Sequence, residues 1–283
     1  MTYALSSQKK IIPKVGVALG GGATLGAAHI GVLQALVEAG IPIDCISGTS
    51  AGSLIAACFA FGVPLPQMVE MAHDMSWKKV SKFGRSRLGL SSNEPMGMFI
   101  TDILGDVRIE DARLPLAIVA TDIEHRSMVM LRSGRLRDAV RASTSLPGIF
   151  VPVEIDGQLL VDGGLMENVP LTALSQMGAT FRIGVNLFAH QSTTRPKHIV
   201  DIIAASFAAL SSHRDKTLAD ADCMIEPDIS RFNMMKFEDI EQVIGQGYQA
   251  AIAVMPQLKA QLQERTVMHK EGVFARVRHF FGI

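Results

Sequence analysis

Residues 41–61 have the sequence IPIDCISGTSAGSLIAACFAF, in which a glycine-containing turn separates an apolar strand from an apolar helix. Ile41–Ile46 predicts a strand, and Ser53–Phe61 predicts a buried helix because it carries no charge and ends before Gly62. Between them lies G-T-S-A-G at 48–52, a G-x-S-x-G pattern. A strand, a sharp turn and a helix in this order are typical of α/β proteins.

The turn places one serine in a position suited to nucleophilic chemistry. Gly48 and Gly52 relieve crowding where the chain reverses, and Ser50 lies at the start of the helix. Backbone N–H groups and the helix dipole favour negative charge there. We therefore predict that Ser50 is a nucleophile on an elbow formed with Gly48 and Gly52. The alternative is a turn of small residues that only packs the helix on the sheet.

The same alternation continues along the chain in both directions. The strands that the sequence predicts further out are Val15–Leu19, Pro115–Ile123, Met128–Leu131, Val151–Ile155, Gln158–Val161, Phe181–Leu187 and Cys223–Ile225. The further predicted helices follow the glycines after Leu19 and cover Gln67–Met75, Arg135–Ala142, His198–Ala219 and Phe237–Arg265. This order predicts an α/β fold, a three-layer α/β/α sandwich with a central, largely parallel sheet.

Composition excludes several classes of protein. The 283 residues are 48% hydrophobic and 19% charged, which excludes intrinsic disorder. The net charge is zero, so we expect no nucleic-acid partner. Three cysteines without motif spacing fit a reducing compartment. The most apolar stretch, Leu54–Val63, is too short to cross a bilayer, and no targeting segment stands out. These features predict a cytoplasmic protein, with peripheral contact at the inner membrane surface as an option.

A second glycine-rich motif lies between the strand Val15–Leu19 and the next helix. It consists of Gly20-Gly21-Gly22 followed by Gly26, a spacing of G-x-G-x-x-x-G. Consecutive glycines let backbone N–H groups turn toward an anion. The motif therefore suits an oxyanion hole. A dinucleotide phosphate loop is an alternative, although that fingerprint is G-x-G-x-x-G, and an ordinary turn is another.

A third motif is D-G-G at 162–164. Asp156-Gly157 is a two-residue hairpin signal that positions the strand before the motif, so that Asp162 falls at a strand end, on the rim of the sheet. A carboxylate there is available for acid or base chemistry. D-G-G by itself is equally typical of a plain turn.

Taken together, these motifs resemble the patatin-like phospholipase family. The segments that carry the resemblance are G-G-G with G-A-A-H-I-G-V-L within 20–33, G-T-S-A-G at 48–52, A-T-D at 120–122, L-R-D-A-V-R-A-S-T-S-L-P-G-I-F at 136–150 and V-D-G-G-L-M-E-N-V-P at 161–170. The similarity extends from about Lys14 to Leu187. It fits a single patatin-like domain over 1–283, with a catalytic core at about 14–187 and a helical C-terminal part at 195–283 packed on the same unit.

The resemblance implies a serine lipid acyl hydrolase that uses a Ser–Asp dyad and no metal or organic cofactor. Ser50 would be the nucleophile and Asp162 the base, and the backbone N–H groups of Gly21, Gly22 and Ala23 would form the oxyanion hole. The expected substrates are phospholipids or lysophospholipids, cleaved through an acyl-serine intermediate.

One departure from the family pattern leaves alternatives open. Family members commonly carry a basic residue just before the last glycine of the loop, and this chain has Leu25 there. The backbone donors remain, so we expect the hole to survive. A hydrolase or transferase of small acyl esters, or a weakly active or non-catalytic regulatory or lipid-sensing protein on the same fold, are the alternatives.

Histidines offer another base. His125 and His190 each follow a predicted strand and are candidates for a Ser–His triad, whereas we expect His29 to have a packing or capping role. Asp122 and Asn168 lie in segments that resemble the family, and we interpret both as structural.

Two basic segments with aromatic residues suit an anionic membrane surface, namely 77–90 and 274–283. Solvated helix faces are the alternative. We predict that 76–100 forms a mobile flap over the site. Methionines clustered between 68 and 98 either line an adaptable acyl pocket or pack in the core, and they are Met68, Met71, Met75, Met96 and Met98.

Overall fold

The architecture comes from a computed structural model that describes residues 12–84, 86–190, 195, 197–214 and 216–281. The side chains of residues 200, 211–214, 216 and 267–281 are not part of that description. The strands are β1 Val15–Leu19, β2 Cys45–Thr49, β3 Lys82–Phe83, β4 Gly89–Ser92, β5 Leu116–Asp122, β6 Ser127–Leu131, β7 Gly148–Phe150, β8 Val153–Ile155, β9 Gln158–Asp162, β10 Phe181–Val185 and β11 Cys223–Ile225.

Helices follow most of these strands. The α-helices are α1 Ala28–Glu38, α2 Ala51–Ala60, α3 Leu65–Asp74, α4 Trp77–Val80, α5 Glu94–Leu104, α6 Leu136–Ser143, α7 Leu171–Gln176, α8 Ile199–Arg214 and α9 Ile240–Phe281. Four short 3₁₀ helices cover Ala23–Ala27, Ile109–Asp111, Gly163–Leu165 and Lys216–Asp220. None of the described helices is both long enough and apolar enough to cross a membrane.

An eight-stranded sheet forms the middle layer. Its order is β11-β10-β1-β2-β5-β9-β8, and β6 pairs with β5. The run from β11 to β5 is parallel, whereas β6, β8 and β9 join by antiparallel pairing. The expected central, largely parallel sheet is confirmed. Carboxyl ends of the parallel strands lie at one edge, which is where α/β proteins place their sites.

Both faces of the sheet are covered by helices. Along β1, Val17 and Leu19 belong to the larger core, which also contains buried residues of α1, α2 and α9. Ala18, between them, belongs to a second core with α7. This alternation follows from the two-residue period of a strand, and it confirms the three-layer α/β/α sandwich.

The C-terminal helix α9 crosses α1 at very short range. A Cβ atom at Gly31 would lie 2.0 Å from the carbonyl oxygen of Ile244, and one at Gly247 would lie 1.9 Å from that of Ala28. Only glycine permits this approach, so the two helices pack backbone against backbone. The apolar first part of α9 thereby closes the core over α1.

One predicted strand has other bounds in the structure, and the predicted flap contains regular secondary structure. The strand predicted at Ile41–Ile46 begins only at Cys45 and runs to Thr49. Asp44 instead links to β1 through both its backbone N–H and its carboxylate, which bond Val15. The predicted flap, 76–100, contains α4, β3, β4 and the start of α5, and β4 pairs with β7 in a separate three-stranded sheet. Its predicted motion stays a prediction.

Candidate active site

The elbow at Ser50 has the backbone conformation of a strained turn. β2 ends at Thr49, α2 begins at Ala51, and Ser50 between them has φ +52° and ψ −125°. A non-glycine residue in this region costs on the order of 1–3 kcal/mol. Both glycines of the motif are required by space, because a Cβ at Gly48 would lie 2.4 Å and one at Gly52 2.1 Å from backbone carbonyl oxygens.

Two serines hold the strained residue at its backbone. The N–H of Ser50 donates to Oγ of Ser143 at 2.8 Å, and that hydroxyl donates in turn to the carbonyl of Val119 at 2.6 Å. The hydroxyl of Ser53 donates to the carbonyl of Ser50 at 2.6 Å. No local sequence signal identifies a role for Ser143 or Ser53, since their partners become visible only in the folded chain.

Strand β5 brings Asp162 beside the elbow. Val119 of β5 pairs with Thr49, the residue before Ser50, and the next residue, Ala120, pairs with Asp162 at the end of β9. The two candidate catalytic residues therefore meet at the same edge of the sheet although they are far apart in sequence. A Cβ at Gly163 would lie 2.4 Å from the carbonyl oxygen of Val119, so the glycine after Asp162 permits this approach.

The carboxylate of Asp162 is buried, and its hydrogen bonds offset only part of the effect of burial on its pKa. Burial raises its pKa to about 7, against which a hydrogen bond with the Ser50 side chain and one from the N–H of Gly164 act. The Gly164 bond measures 2.9 Å. The backbone of Asp162 is fixed by its N–H to the carbonyl of Ser145 and by the Thr121 hydroxyl to its own carbonyl. A carboxylate with a pKa near neutrality is suited to general base catalysis.

The glycine-rich loop lies against the elbow. A Cβ at Gly21 would be 3.1 Å from Cβ of Ser50. The N–H of Gly21 makes a long hydrogen bond of 3.4 Å to the carbonyl of Asn168. In contrast, the N–H groups of Gly22 and Ala23 have no hydrogen-bond acceptor among the described residues. Gly22, Ala23 and Ser50 border the same cavity, and backbone donors without a protein acceptor are what an oxyanion hole requires.

Leu25 belongs to the protein core rather than to the cavity. Its side chain is 1% exposed and packs in the larger hydrophobic cluster. Its N–H closes the turn by donating to the carbonyl of Gly22 at 3.1 Å. The apolar residue at this position therefore supports the loop through packing.

Two of the histidines considered from the sequence bond groups outside the dyad. Nε2 of His29 is 2.7 Å from the carbonyl oxygen of Gly20, and burial lowers the pKa of this histidine to about 4. The ring is therefore neutral and donates to the start of the glycine loop. His125 is largely exposed and bonds Asp122, at the end of β5. Among the described residues, no histidine borders the cavity that contains Ser50 and Asp162.

That cavity is open to solvent and mostly apolar. Including its open mouth it encloses about 1180 Å³, and Ser50 and Asp162 both border it. Six methionines line it: Met68, Met71, Met75, Met96, Met234 and Met235. Met98, which was expected with the first four, is instead 58% exposed and lies outside. Flexible thioether side chains adapt well to an apolar ligand.

No group of His, Cys, Asp and Glu in the described part of the chain converges closely enough to hold a metal ion. The polar groups found at this edge of the sheet include the Ser50 hydroxyl, the buried carboxylate of Asp162 and the backbone N–H groups of the glycine-rich loop.

Comparison with known proteins identifies a family whose sequence model matches this chain. The model of the patatin-like phospholipase family matches residues 17–175, which include Ser50 and Asp162. An uncharacterized NTE family protein of Mycobacterium tuberculosis is 35% identical over 178 residues, covering 62% of this chain and 49% of that protein. Lysophospholipase NTE1 of Yarrowia lipolytica is 34% identical over 187 residues, covering 64% of this chain and 13% of that protein.

The chain thus spans about half the length of the mycobacterial relative that it matches. Among solved structures, VipD from Legionella pneumophila superposes with a TM-score of 0.59 at 15% identity, covering 89% of this chain and 67% of that one. At this identity the similarity concerns the fold alone.

Proposed function

This chain belongs to the patatin-like phospholipase family, and we propose that it is a serine hydrolase of carboxylic esters in phospholipids or lysophospholipids. The observation that carries the proposal is the position of Ser50 beside the buried carboxylate of Asp162, in one apolar cavity. The name of the Yarrowia lipolytica relative, a lysophospholipase, supports the same substrate class.

In the first half of the reaction, Oγ of Ser50 attacks the ester carbonyl carbon and its proton passes to Asp162. A serine hydroxyl is a poor nucleophile without such a base. The negative charge on the carbonyl oxygen faces the N–H groups of Gly22 and Ala23, and each such donor is typically worth about 3 kcal/mol in the transition state. Gly21 joins them only when its long bond to Asn168 opens.

In the second half, the tetrahedral intermediate collapses and the alcohol leaves as an alkoxide that takes the proton from Asp162. The acyl group remains on Ser50. Water then attacks the acyl carbon and gives a proton to Asp162, which returns it to Oγ of Ser50 as the fatty acid departs. The dyad ends in its starting protonation state, and no further reactant is needed.

The walls of the cavity support an acyl chain as the bound part of the substrate. Methionine and aromatic side chains such as Phe150 and Phe207 border it, and its few polar side chains include Ser50 and Asp162. An apolar cavity with a few convergent polar groups favours a ligand that is mostly hydrocarbon with one reactive polar group.

The test compares wild type with Ser50→Ala and Asp162→Asn on a water-soluble short-chain ester and on a phospholipid. Ser86→Ala and Asp156→Asn are matched controls, because both residues are exposed. We expect each dyad variant to lose about a thousandfold or more in hydrolysis while the controls keep it. A fluorophosphonate probe should label wild type but not Ser50→Ala.

Three other outcomes would change the assignment. A wild type that is inert on both esters and unlabelled by the probe would overturn the hydrolase proposal, and a lipid-binding regulatory role would replace it. Labelling of Ser50 without hydrolysis of either ester would indicate another class of acyl ester. Full activity in Asp162→Asn would exclude this aspartate as the base.

A further inference from the structure

Large apolar side chains are exposed on two parts of the fold next to the cavity, the paired strands β3 and β4 and the helix α8. Phe83 at the end of β3 is 90% exposed, and Leu88 and Leu90, at β4, are also exposed. On α8, Ile199 is 69% exposed and Ile202 more than half exposed. We call these five residues the docking patch. Single exposed apolar residues are common on proteins, whereas several on adjoining elements mark an interaction site.

The two parts are neighbours in the fold. Gly89 of β4 pairs with Gly148 of β7, so Leu88 and Leu90 flank that pair. A Cβ at Gly148 would lie 3.5 Å from Cδ1 of Ile203 on α8. Ile203 and Ile199 are four residues apart and share a helix face. The β4 part of the docking patch is therefore continuous with its α8 part.

The sequence segments that carry the docking patch are rich in lysine and arginine. Residues 77–90 contain five lysines and arginines and no acidic residue, and residues 195–210 contain two such cations and one acid, Asp201. That carboxylate accepts the backbone N–H groups of Lys197 and His198 at the start of α8. Lys79 forms an ion pair with Asp74, whereas among the described residues no carboxylate forms an ion pair with Lys82 or Lys197. Cations around exposed apolar side chains complement an anionic lipid surface.

Helix α8, the strand β7 that pairs with β4, and the helix α4 that precedes β3 all contribute to the walls of the cavity. Phe207 of α8, Phe150 of β7 and Trp77 of α4 all border it. An element whose inner side contacts the acyl cavity and whose outer side contacts lipid provides a short path from bilayer to active site.

We infer that the docking patch inserts into the surface of an anionic membrane and places the mouth of the cavity against the lipid. The occupant is the bilayer itself: apolar side chains enter the boundary of the acyl region and the surrounding lysines and arginines contact lipid phosphates. The inference rests on the proposed function, because membrane binding would serve to deliver lipid substrate. Binding of the protein to membranes can nevertheless be measured without catalysis.

The experiment measures sedimentation of the Ser50→Ala protein with vesicles, so that no lipid is consumed. One set of vesicles is phosphatidylcholine alone and the other an equal mixture with phosphatidylglycerol. We expect binding to the anionic vesicles that weakens at high salt. Adding Phe83→Ser, Leu88→Ser and Ile199→Ser together should reduce that binding about tenfold or more. The control adds Val37→Ser and Ile252→Ser, exposed apolar residues of α1 and α9.

Activity separates this inference from the proposed function. The patch variant, made with Ser50 intact, should still cleave a water-soluble ester at the wild-type rate but should lose hydrolysis of vesicle lipid. Equal sedimentation of the patch variant and its control would overturn the inference, as would no binding to either vesicle. If the Ser50→Ala protein binds through the docking patch but wild type cleaves no ester, the docking surface stands and the hydrolase proposal fails.

Discussion

The variant Asp162→Asn should gain stability over wild type as the pH rises. Asparagine keeps the size of aspartate and an oxygen that can accept the N–H of Gly164, but it cannot ionise. In wild type the carboxyl group is buried, and burial raises its pKa to about 7. Ionising this group at alkaline pH therefore works against the folded state.

The size of the effect follows from the two pKa values. The ordinary pKa of aspartate, 3.8, applies to the unfolded chain, and about 7 applies to the folded one. Between these values the unfolded chain has released a proton that the folded chain keeps, so the stability of wild type falls as the pH rises. Above both, the penalty is constant at about 4 kcal/mol, since one pKa unit corresponds to about 1.4 kcal/mol.

Urea unfolding of both proteins at about pH 4.5 and about pH 8 measures this difference. The free energy of unfolding of Asp162→Asn minus that of wild type should increase by about 3 kcal/mol between the two conditions. Asp156→Asn, at an exposed hairpin position, should follow wild type at both. A difference for Asp162→Asn that stays within about 0.5 kcal/mol across this range would refute the assigned burial of a carboxylate with a raised pKa.

Three further predictions concern the active site. The rate at which wild type hydrolyses a water-soluble ester should fall about tenfold per pH unit below the pKa of Asp162, about 7, because the base must be ionised. A rate that does not fall toward acidic pH would contradict this. Ser143→Ala removes the acceptor for the N–H of Ser50 and should lower kcat about tenfold with little change in KM; an unchanged kcat would show that the elbow holds without it. Gly163→Ala should destabilise the protein by about 2 kcal/mol or more in thermal unfolding. Gly245→Ala, where a Cβ meets open space in α9, should instead stabilise it by up to about 1 kcal/mol. Equal effects of the two substitutions would contradict the close packing at Gly163.

Local sequence was sufficient for the elements that carry the site. The strand, turn and helix around Ser50 follow one another directly, so their pattern of apolar residues and glycines predicts the elbow. The Asp156-Gly157 turn likewise predicts the hairpin that ends at Asp162. The bounds of such strands and turns depend on a few consecutive residues. The observed bounds therefore differ from the predicted ones by only a few residues, as at β2.

Other features of the site depend on contacts between distant segments. The three-stranded sheet was not predicted, because β4 finds its partner β7 only after folding. The helix α5 was not predicted either. Met234 and Met235 line the cavity from the segment before α9, while Met98, closer in sequence to the other methionines, is exposed. A periodic pattern gives the face of a helix but not what that face meets.

The sequence by itself determined the α/β order, the family resemblance and the identity of Ser50 and Asp162 as candidates. Only the tertiary structure decided that β5 places them side by side, that burial raises the pKa of Asp162, and that the N–H groups of Gly22 and Ala23 have no acceptor among the described residues. The physical reason is the distance along the chain over which each property is determined. Strand and turn formation depends on neighbouring residues, whereas burial, pKa and the choice of hydrogen-bond partner sum over everything that the fold brings together.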